Sequence, residues 1–172
     1  RPRLPRHANP IELRGEAASP EAFRRAGPER FSAIHFTSHA VANTESPMDS
    51  AVILSGPDGA FKLYARDVAQ LPLTADLVTV SACRSAGARA YSGEGLIGFA
   101  WAFLRAGSRR VVAGLWDVDD RSTAALVEHF YARLAAGDGP AAALREAKLA
   151  MLKAGATRPY YWAPLQVFTV SP

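Results

Sequence analysis

At 172 residues, with 49% apolar and 21% charged residues, the chain is long enough to form one globular domain with a real core. No apolar run approaches the ~20 residues of a membrane helix, and the first ten residues lack the apolar stretch of a signal peptide. The net charge of +4 arises mostly in residues 1–30, which hold seven arginines and four glutamates. No clustered basic stripe follows, so a nucleic-acid-binding surface is not expected.

The chain contains one cysteine, Cys83, which excludes an internal disulfide and a cysteine-based zinc cluster. A reducing, cytoplasmic setting is therefore predicted. The sequence has no initiator methionine, so we expect it to be part of a larger protein. Residues 1–18 are rich in Pro and Arg and are predicted to be a linker or the tail of an upstream domain, which leaves residues 19–172 as the folded domain.

The predicted elements of the first half are a short helix after Ser19-Pro20, a strand over 31–39, a polar loop over 40–50 and a hairpin over 51–64. Ser19 and Pro20 are typical of a helix N-terminus. The strand is predicted to end at His39. Two apolar runs joined by Gly-Pro-Asp-Gly favour the hairpin.

The predicted elements of the second half are a short helix at 66–70, strands at 77–81, 110–116 and 166–170, a loop at 84–93, and helices at 92–107, 120–137 and 140–155. In the first long helix Leu96, Phe99 and Phe103 recur with the helical period. Strands that alternate with helices predict an α/β domain with a mainly parallel central sheet flanked by helices.

Cys83 follows a buried apolar strand and small residues, and it precedes a loop that contains Gly and Ser. A single cysteine is often only a small residue of the core. Functional sites of parallel α/β sheets, however, lie at the carboxyl ends of strands. A thiolate placed there is a strong nucleophile for acyl transfer. We therefore interpret Cys83 as a nucleophile.

His39 occupies a matching place at the predicted end of an earlier strand. His35 lies on the same strand and is interpreted as a structural side chain, because only His39 is at the exit. Two strands that end in His and Cys bring the pair together at one sheet edge, as cysteine hydrolysis requires.

An acidic group, Asp117, Asp119 and Asp120, follows the strand at 110–116. Asp119 or Asp120 is suited to capping the next helix. Asp117 directly follows Trp116, and a carboxylate beside an indole is suited to hold a guanidinium by charge-assisted hydrogen bonds and stacking.

Several of these motifs together resemble a CHAT domain, a caspase-like peptidase module related to separase and often found with tetratricopeptide repeats. They are Ile-His-Phe-Thr-Ser-His39, Val-Ser-Ala-Cys83-Arg-Ser-Ala-Gly, Ser-Gly-Glu-Gly-Leu-Ile-Gly, Ala-Gly-Ser-Arg-Arg-Val-Val-Ala-Gly-Leu-Trp-Asp-Val-Asp-Asp and Arg-Pro-Tyr-Tyr-Trp. They occur in the family's order over about residues 15–170. The resemblance implies the caspase–hemoglobinase fold and a catalytic dyad of Cys83 and His39.

The resemblance also implies roles for other residues. The backbone amides of Ala40 and Cys83 would hold the oxyanion. The stretch from Trp116 to Asp120 is similar to a separase motif, which implies a pocket for a basic P1 residue with Asp117 or Asp120 as the counter-charge. Glu94 and Trp116 fall on family motif positions on the substrate side. A protein substrate and a sensor or repeat domain are the expected partners.

Two residues depart from the family pattern. Ala40 stands where the family usually has Gly, which keeps the backbone N–H but would carry a cost at a positive φ. Arg84 follows Cys83, where an acidic residue is more usual.

Three functions are compatible with the sequence. The first is a cysteine endopeptidase, and the second is a caspase-like interaction module without strong activity. The third, a small-molecule hydrolase or redox thiol protein, is disfavoured by the lack of a Gly-x-Ser-x-Gly elbow and a Cys-x-x-Cys pair. Gly93-Glu-Gly95 lacks the remaining glycines of a phosphate loop, and no metal or other cofactor is predicted.

Overall fold

The computed structural model describes residues 10–43, 45–57, 59–81, 94–115 and 120–170. The strands are β1 (Ala33–Phe36), β2 (Ala40–Val41), β3 (Ala51–Ile53), β4 (Lys62–Tyr64), β5 (Leu77–Val80), β6 (Arg110–Gly114) and β7 (Leu165–Thr169). The α-helices are α1 (Pro20–Arg25), α2 (Ala65–Val68), α3 (Glu94–Arg105), α4 (Asp120–Ala135), α5 (Pro140–Lys153) and α6 (Pro159–Trp162). Short 3-10 helices span Gly15–Ala17, Pro28–Arg30 and Pro47–Asp49.

The central sheet has the strand order β1-β5-β6-β7. β1, β5 and β6 are mutually parallel, and only β7 runs antiparallel to its neighbour. All four residues of β5 are buried, as expected for a strand covered on both faces of a parallel sheet. The predicted α/β fold with a mainly parallel central sheet is confirmed.

A second, antiparallel sheet has the order β2-β3-β4. The predicted hairpin corresponds to β3 and β4. Two boundaries were wrong: β1 ends at Phe36, three residues before His39, and the predicted loop over 40–50 contains β2 and a 3-10 helix. Ala40–Val41 forms a strand because it pairs with β3. A run of two residues is too short to show an alternating hydrophobic pattern, so this strand depends on its partner and not on its own sequence.

The central sheet separates two apolar cores because successive side chains of a strand point to opposite faces. Val78 and Val80 pack with Phe36, Phe99 and Phe103 on the face covered by α1, α3 and the second sheet. Leu77 packs on the other face with the buried residues of β6, β7, α4 and α5, which are Val112, Leu126, Phe130, Leu134, Ala143, Leu144, Ala147, Met151 and Leu165. In α3 the predicted apolar residues Phe99 and Phe103 are buried in the first of these cores.

Two glycines, one within α3 and one just beyond its end, permit close packing. A Cβ at Gly98 would lie 2.6 Å from the Cβ of Pro47, so this glycine lets α3 approach the 3-10 helix at Pro47–Asp49. Gly107 adopts φ +111°, beyond the helix end at Arg105. The prediction that Gly107 ends this helix is confirmed, since only glycine adopts such a φ without cost.

The segment before α1 is in contact with the rest of the fold. Leu13 packs against the core, and the carbonyls of Gly15 and Ala18 accept hydrogen bonds from the Ser55 side chain and backbone at 2.7 Å each. The Ser19 hydroxyl accepts a hydrogen bond from the Ala22 N–H at 3.1 Å, which confirms the predicted N-cap. The domain boundary between residues 18 and 19 stays a prediction. In the described part of the chain, no helix combines the length and apolar character that a membrane crossing requires.

Candidate active site

The candidate site lies where β1 and β5 end side by side. The two strands are adjacent and parallel, with Phe36 opposite Val80 at their carboxyl ends. In the sequence His39 follows Phe36 by three residues and Cys83 follows Val80 by three residues. The two chain segments that carry the predicted dyad therefore leave the same edge of the sheet from matched positions, as sites of parallel sheets usually do.

His39 is exposed and immediately precedes β2. Its carbonyl accepts a hydrogen bond from the Ile53 N–H at 2.7 Å. This bond fastens the backbone of His39 to β3, so the residue is held between the central sheet and the second sheet. The backbone of the predicted base is thus attached to the second sheet.

Ala40 presents its backbone N–H away from β3. Ala40 lies opposite Val52, and the preceding pair, His39 and Ile53, is hydrogen-bonded. Because hydrogen-bonded and non-hydrogen-bonded pairs alternate along an antiparallel ladder, the N–H of Ala40 is not directed to β3. The Ala40 N–H is therefore directed so that it can donate a hydrogen bond to a group outside the second sheet.

The backbone of Ala40 tolerates its side chain without strain. None of the described residues other than glycine has a positive φ, so the left-handed conformation that would penalise a methyl group does not occur at Ala40. The residue is only 5% exposed and belongs to the core that contains Phe36 and Val52. The replacement of the family's glycine therefore adds a packed methyl group.

The remaining predicted site residues are described only in part. Asp120 is exposed and is the first residue of α4, and Glu94 opens α3 with its side chain outside the described part. Four other residues of interest lie outside the described residues: Cys83, Arg84, Trp116 and Asp117. The same holds for Asp119, the other predicted helix cap. The assignments of Cys83, His39, Ala40, Asp117, Asp120, Trp116 and Glu94 to the site stay predictions.

His35, interpreted from the sequence as structural, makes a side-chain contact at this end of the sheet. Its Nε2 lies 2.8 Å from Oγ of Ser81, the residue that follows β5. The Ser81 hydroxyl donates to the Phe36 carbonyl at 3.2 Å, and the Ser81 N–H reaches the same carbonyl at 3.0 Å. A polar linkage therefore joins the two strand ends. The expected strand alternation over His35 and His39 does not apply, because β1 ends at Phe36, and the contact with Ser81 is not evident from the sequence.

A second polar pair supports the His35 ring from α4. The ring of Tyr131 stacks on that of His35 with centroids 5.4 Å apart, and the Tyr131 hydroxyl donates to Thr79 Oγ1 at 3.0 Å. Thr79 lies opposite His35 in the ladder and is fully buried. Although His35 as a residue is exposed, burial of its ring lowers the pKa of the imidazole. Burial raises the pKa of Tyr131, against an opposing effect of its hydrogen bond with Thr79.

A cavity of about 170 Å³ lies against β1. Its lining is mostly apolar, with Phe23, Phe31, Ile34 and Leu54 as the larger side chains. None of its described lining residues comes from β5. Among the described residues, no group of three His, Cys, Asp or Glu side chains is arranged to hold a metal ion.

Comparison with known families agrees with the motifs. A model of the CHAT domain family matches residues 4–169, which is nearly the whole chain. A search of curated proteins found no match. The mainly parallel sheet β1-β5-β6-β7 with flanking helices agrees with a caspase-like fold. The chain therefore belongs to the CHAT domain family and is a caspase-like, peptidase-related module.

Proposed function

We propose that this chain is a cysteine endopeptidase that cleaves a protein substrate with a dyad of Cys83 and His39. The observation that supports the proposal most directly is the pairing of Phe36 with Val80 in the parallel ladder of β1 and β5. Each candidate catalytic residue follows one member of that pair by three residues. A nucleophile and its base must lie within hydrogen-bond distance of each other. Residues that closely follow the ends of two adjacent strands can meet this requirement.

In the proposed reaction His39 accepts the proton of the Cys83 thiol, and the thiolate attacks the scissile carbonyl carbon. The C–S bond forms as the carbonyl oxygen becomes an oxyanion. Collapse of this intermediate breaks the C–N bond, and His39 returns the proton to the leaving amine. Water, deprotonated by His39, then hydrolyses the thioester and regenerates the thiol.

The backbone N–H groups of Ala40 and Cys83 are proposed to stabilise the oxyanion. The N–H of Ala40 suits this role because it is not directed to the ladder with β3. Ala40 itself is buried and paired with Val52 in the second sheet, so the donor is preorganised before the substrate binds. Preorganised donors of this kind typically supply a factor of about 10²–10³ in rate.

We further propose that cleavage follows Arg or Lys. Asp117 and Asp120 would supply the carboxylates, and Trp116 an aromatic face for the guanidinium, with Glu94 on the substrate side. Asp120 is exposed at the start of α4, the helix that follows β6 in the chain. β6 is the strand next to β5. The proposed pocket would thus neighbour the dyad at the same sheet edge.

The domain is proposed to act as the effector part of a larger regulated protein, with a sensor or repeat domain in the same or an associated chain. This proposal rests on the family's frequent association with tetratricopeptide repeats.

The experiment that tests the proposed function is covalent labelling of the native chain with a peptidyl acyloxymethyl ketone that carries Arg at P1. Cys83 is the only cysteine, so any thiol adduct found by mass spectrometry reports on this residue. We expect one adduct on the native protein and none on Cys83→Ala. His39→Ala should slow labelling by at least about 10²-fold, since base catalysis typically contributes 10²–10⁴-fold.

Two controls separate catalysis from ordinary thiol chemistry. The urea-unfolded chain should react with iodoacetamide but lose its preference for the peptidyl reagent. A reagent with Asp at P1 should label the native chain more slowly than the Arg reagent. Equal slow labelling of native and unfolded chains would overturn the peptidase proposal and favour the non-catalytic interaction module. Cleavage of a fluorogenic Arg peptide by Cys83→Ala would overturn the assigned nucleophile.

A further inference from the structure

The Ser81 hydroxyl contacts the His35 ring as well as the backbone of β1. Ser81 Oγ lies 2.8 Å from His35 Nε2, a hydrogen bond whose donor depends on the tautomer of the imidazole. The same oxygen lies 3.2 Å from the Phe36 carbonyl oxygen. One side chain therefore links the strand end of β5 to two residues of β1.

The backbone of Ser81 makes a further link between the same strands. Its N–H donates to the Phe36 carbonyl at 3.0 Å. Ser81 is also partly buried at the strand end. The pair of His35 and Ser81 is thus a brace between β1 and β5.

The brace lies directly before both catalytic segments. Ser81 is bound through its side chain to His35 and through its N–H and hydroxyl to Phe36. Cys83 follows Ser81 by two residues, and His39 follows Phe36 by three. Two residues of chain span at most ~7 Å, so the position of Ser81 limits how far from it the Cα atom of Cys83 can lie.

The brace is itself held in place. Tyr131 stacks on the His35 ring and is anchored to the fully buried Thr79, which lies opposite His35 in the ladder. The imidazole therefore has one face packed against Tyr131 and its Nε2 hydrogen-bonded to Ser81, and both reduce the freedom of Ser81. An aromatic ring held between two elements is a rigid support for an adjacent segment.

We propose that His35 is a positioning residue, which sets the geometry of Cys83 relative to His39 through the hydrogen bond between its Nε2 and Ser81 Oγ. This inference rests on the proposed function and adds a residue that the sequence alone marked as structural. Small displacements of reacting groups cost large factors in rate, and about 10²-fold for ~1 Å is typical.

The test compares His35→Leu, which removes the hydrogen-bonding nitrogen, with His35→Gln, whose side-chain amide keeps a hydrogen-bonding group near the position of Nε2. Exposed His129 on α4 provides the matched control His129→Leu. The readouts are the labelling rate with the Arg peptidyl reagent and the rate of Cys83 alkylation by iodoacetamide as a function of pH. Circular dichroism and urea unfolding check that each variant is folded.

We expect His35→Leu to slow peptidyl labelling by about 10- to 100-fold and to shift the alkylation profile of Cys83 toward that of His39→Ala. His35→Gln should recover labelling to within a few-fold of the native rate, and His129→Leu should match the native chain. In a His39→Ala background, His35→Leu should have little further effect, because a residue that acts through the dyad is not additive with it.

The outcomes separate the two proposals. If His39→Ala changes the reactivity of Cys83 and folded His35→Leu does not, the positioning role is overturned while the dyad stands. If His39→Ala itself has no effect, the dyad and the positioning role both fail. Should His35→Leu not fold, Ser81→Ala removes the other partner of the bond, and unchanged labelling in that variant would overturn the inference.

Discussion

Phe36 and Val80 lie opposite each other at the last position of the parallel ladder between β1 and β5. In the sequence His39 follows Phe36 by three residues, and Cys83 follows Val80 by three residues. Because parallel neighbours point the same way, β1 and β5 terminate at the same end of the sheet. This equal offset is the basis of the proposed dyad.

Substitution of Ala40 tests the oxyanion donor directly. Ala40→Pro removes the backbone N–H, and this N–H is not part of the ladder with β3, so the sheet should persist. Ala40→Gly retains the N–H. We expect Ala40→Pro to lower kcat for an Arg peptide by about 10²–10³-fold and Ala40→Gly to stay within a few-fold of the native rate. Steady-state kinetics on variants with native circular dichroism provide the measurement; an active Ala40→Pro enzyme would contradict the assignment.

The acidic residues before α4 are expected to select the P1 residue. Asp117→Asn and Asp120→Asn remove a carboxylate while they keep its shape, so kcat/KM for Arg substrates should fall by about 10- to 100-fold, the equivalent of one charged hydrogen bond. Glu128→Gln, an exposed site later on α4, serves as the matched control. Fluorogenic peptides with Arg, Lys, Asp and Leu at P1 give the comparison. Native preference for Asp at P1 would refute the basic pocket.

His35 should make the folded state sensitive to acid. Burial lowers the pKa of its imidazole below the ordinary value of about 6.5, so the unfolded chain binds more protons than the folded chain near and below that pH. The free energy of unfolding should therefore have its full value above about pH 6.5, where His35 is neutral in the folded and unfolded chains. It should fall as the pH drops below that value. Tyr131, which faces His35 from α4, does not titrate in this range because burial raises its pKa.

His35→Gln cannot titrate and should lose part of this acid sensitivity. Urea unfolding at pH 7.5 and pH 5 measures the difference, and His129→Gln at an exposed position of α4 controls for the removal of a histidine. An unchanged pH dependence in His35→Gln would show that His35 is not a source of the acid sensitivity.

Alanine substitutions at two glycines compare the cost of a strained backbone with the cost of a steric clash. Gly107 and Gly137 have similar positive φ values of +111° and +100°, but a Cβ at Gly107 would lie 2.3 Å from the Leu73 carbonyl oxygen, whereas none lies within 4 Å at Gly137. Gly137→Ala should cost only the conformational penalty of about 1–2 kcal/mol. Gly107→Ala should cost about 3 kcal/mol or more in the free energy of unfolding, because backbone must move. Equal losses in urea unfolding would contradict the close approach at Leu73.

The sequence by itself determined the α/β class, the parallel strands and long helices, the hairpin after Ala51, and the CHAT motifs around His39 and Cys83. These features follow from local rules: hydrophobic period, turn residues and short motifs. Only the tertiary structure decided that β1 lies beside β5 with Phe36 opposite Val80, that Ala40 joins a second sheet at a φ that accepts its methyl group, and that His35 reaches Ser81. Strand order and register depend on contacts between residues far apart in the chain, and local patterns do not specify them.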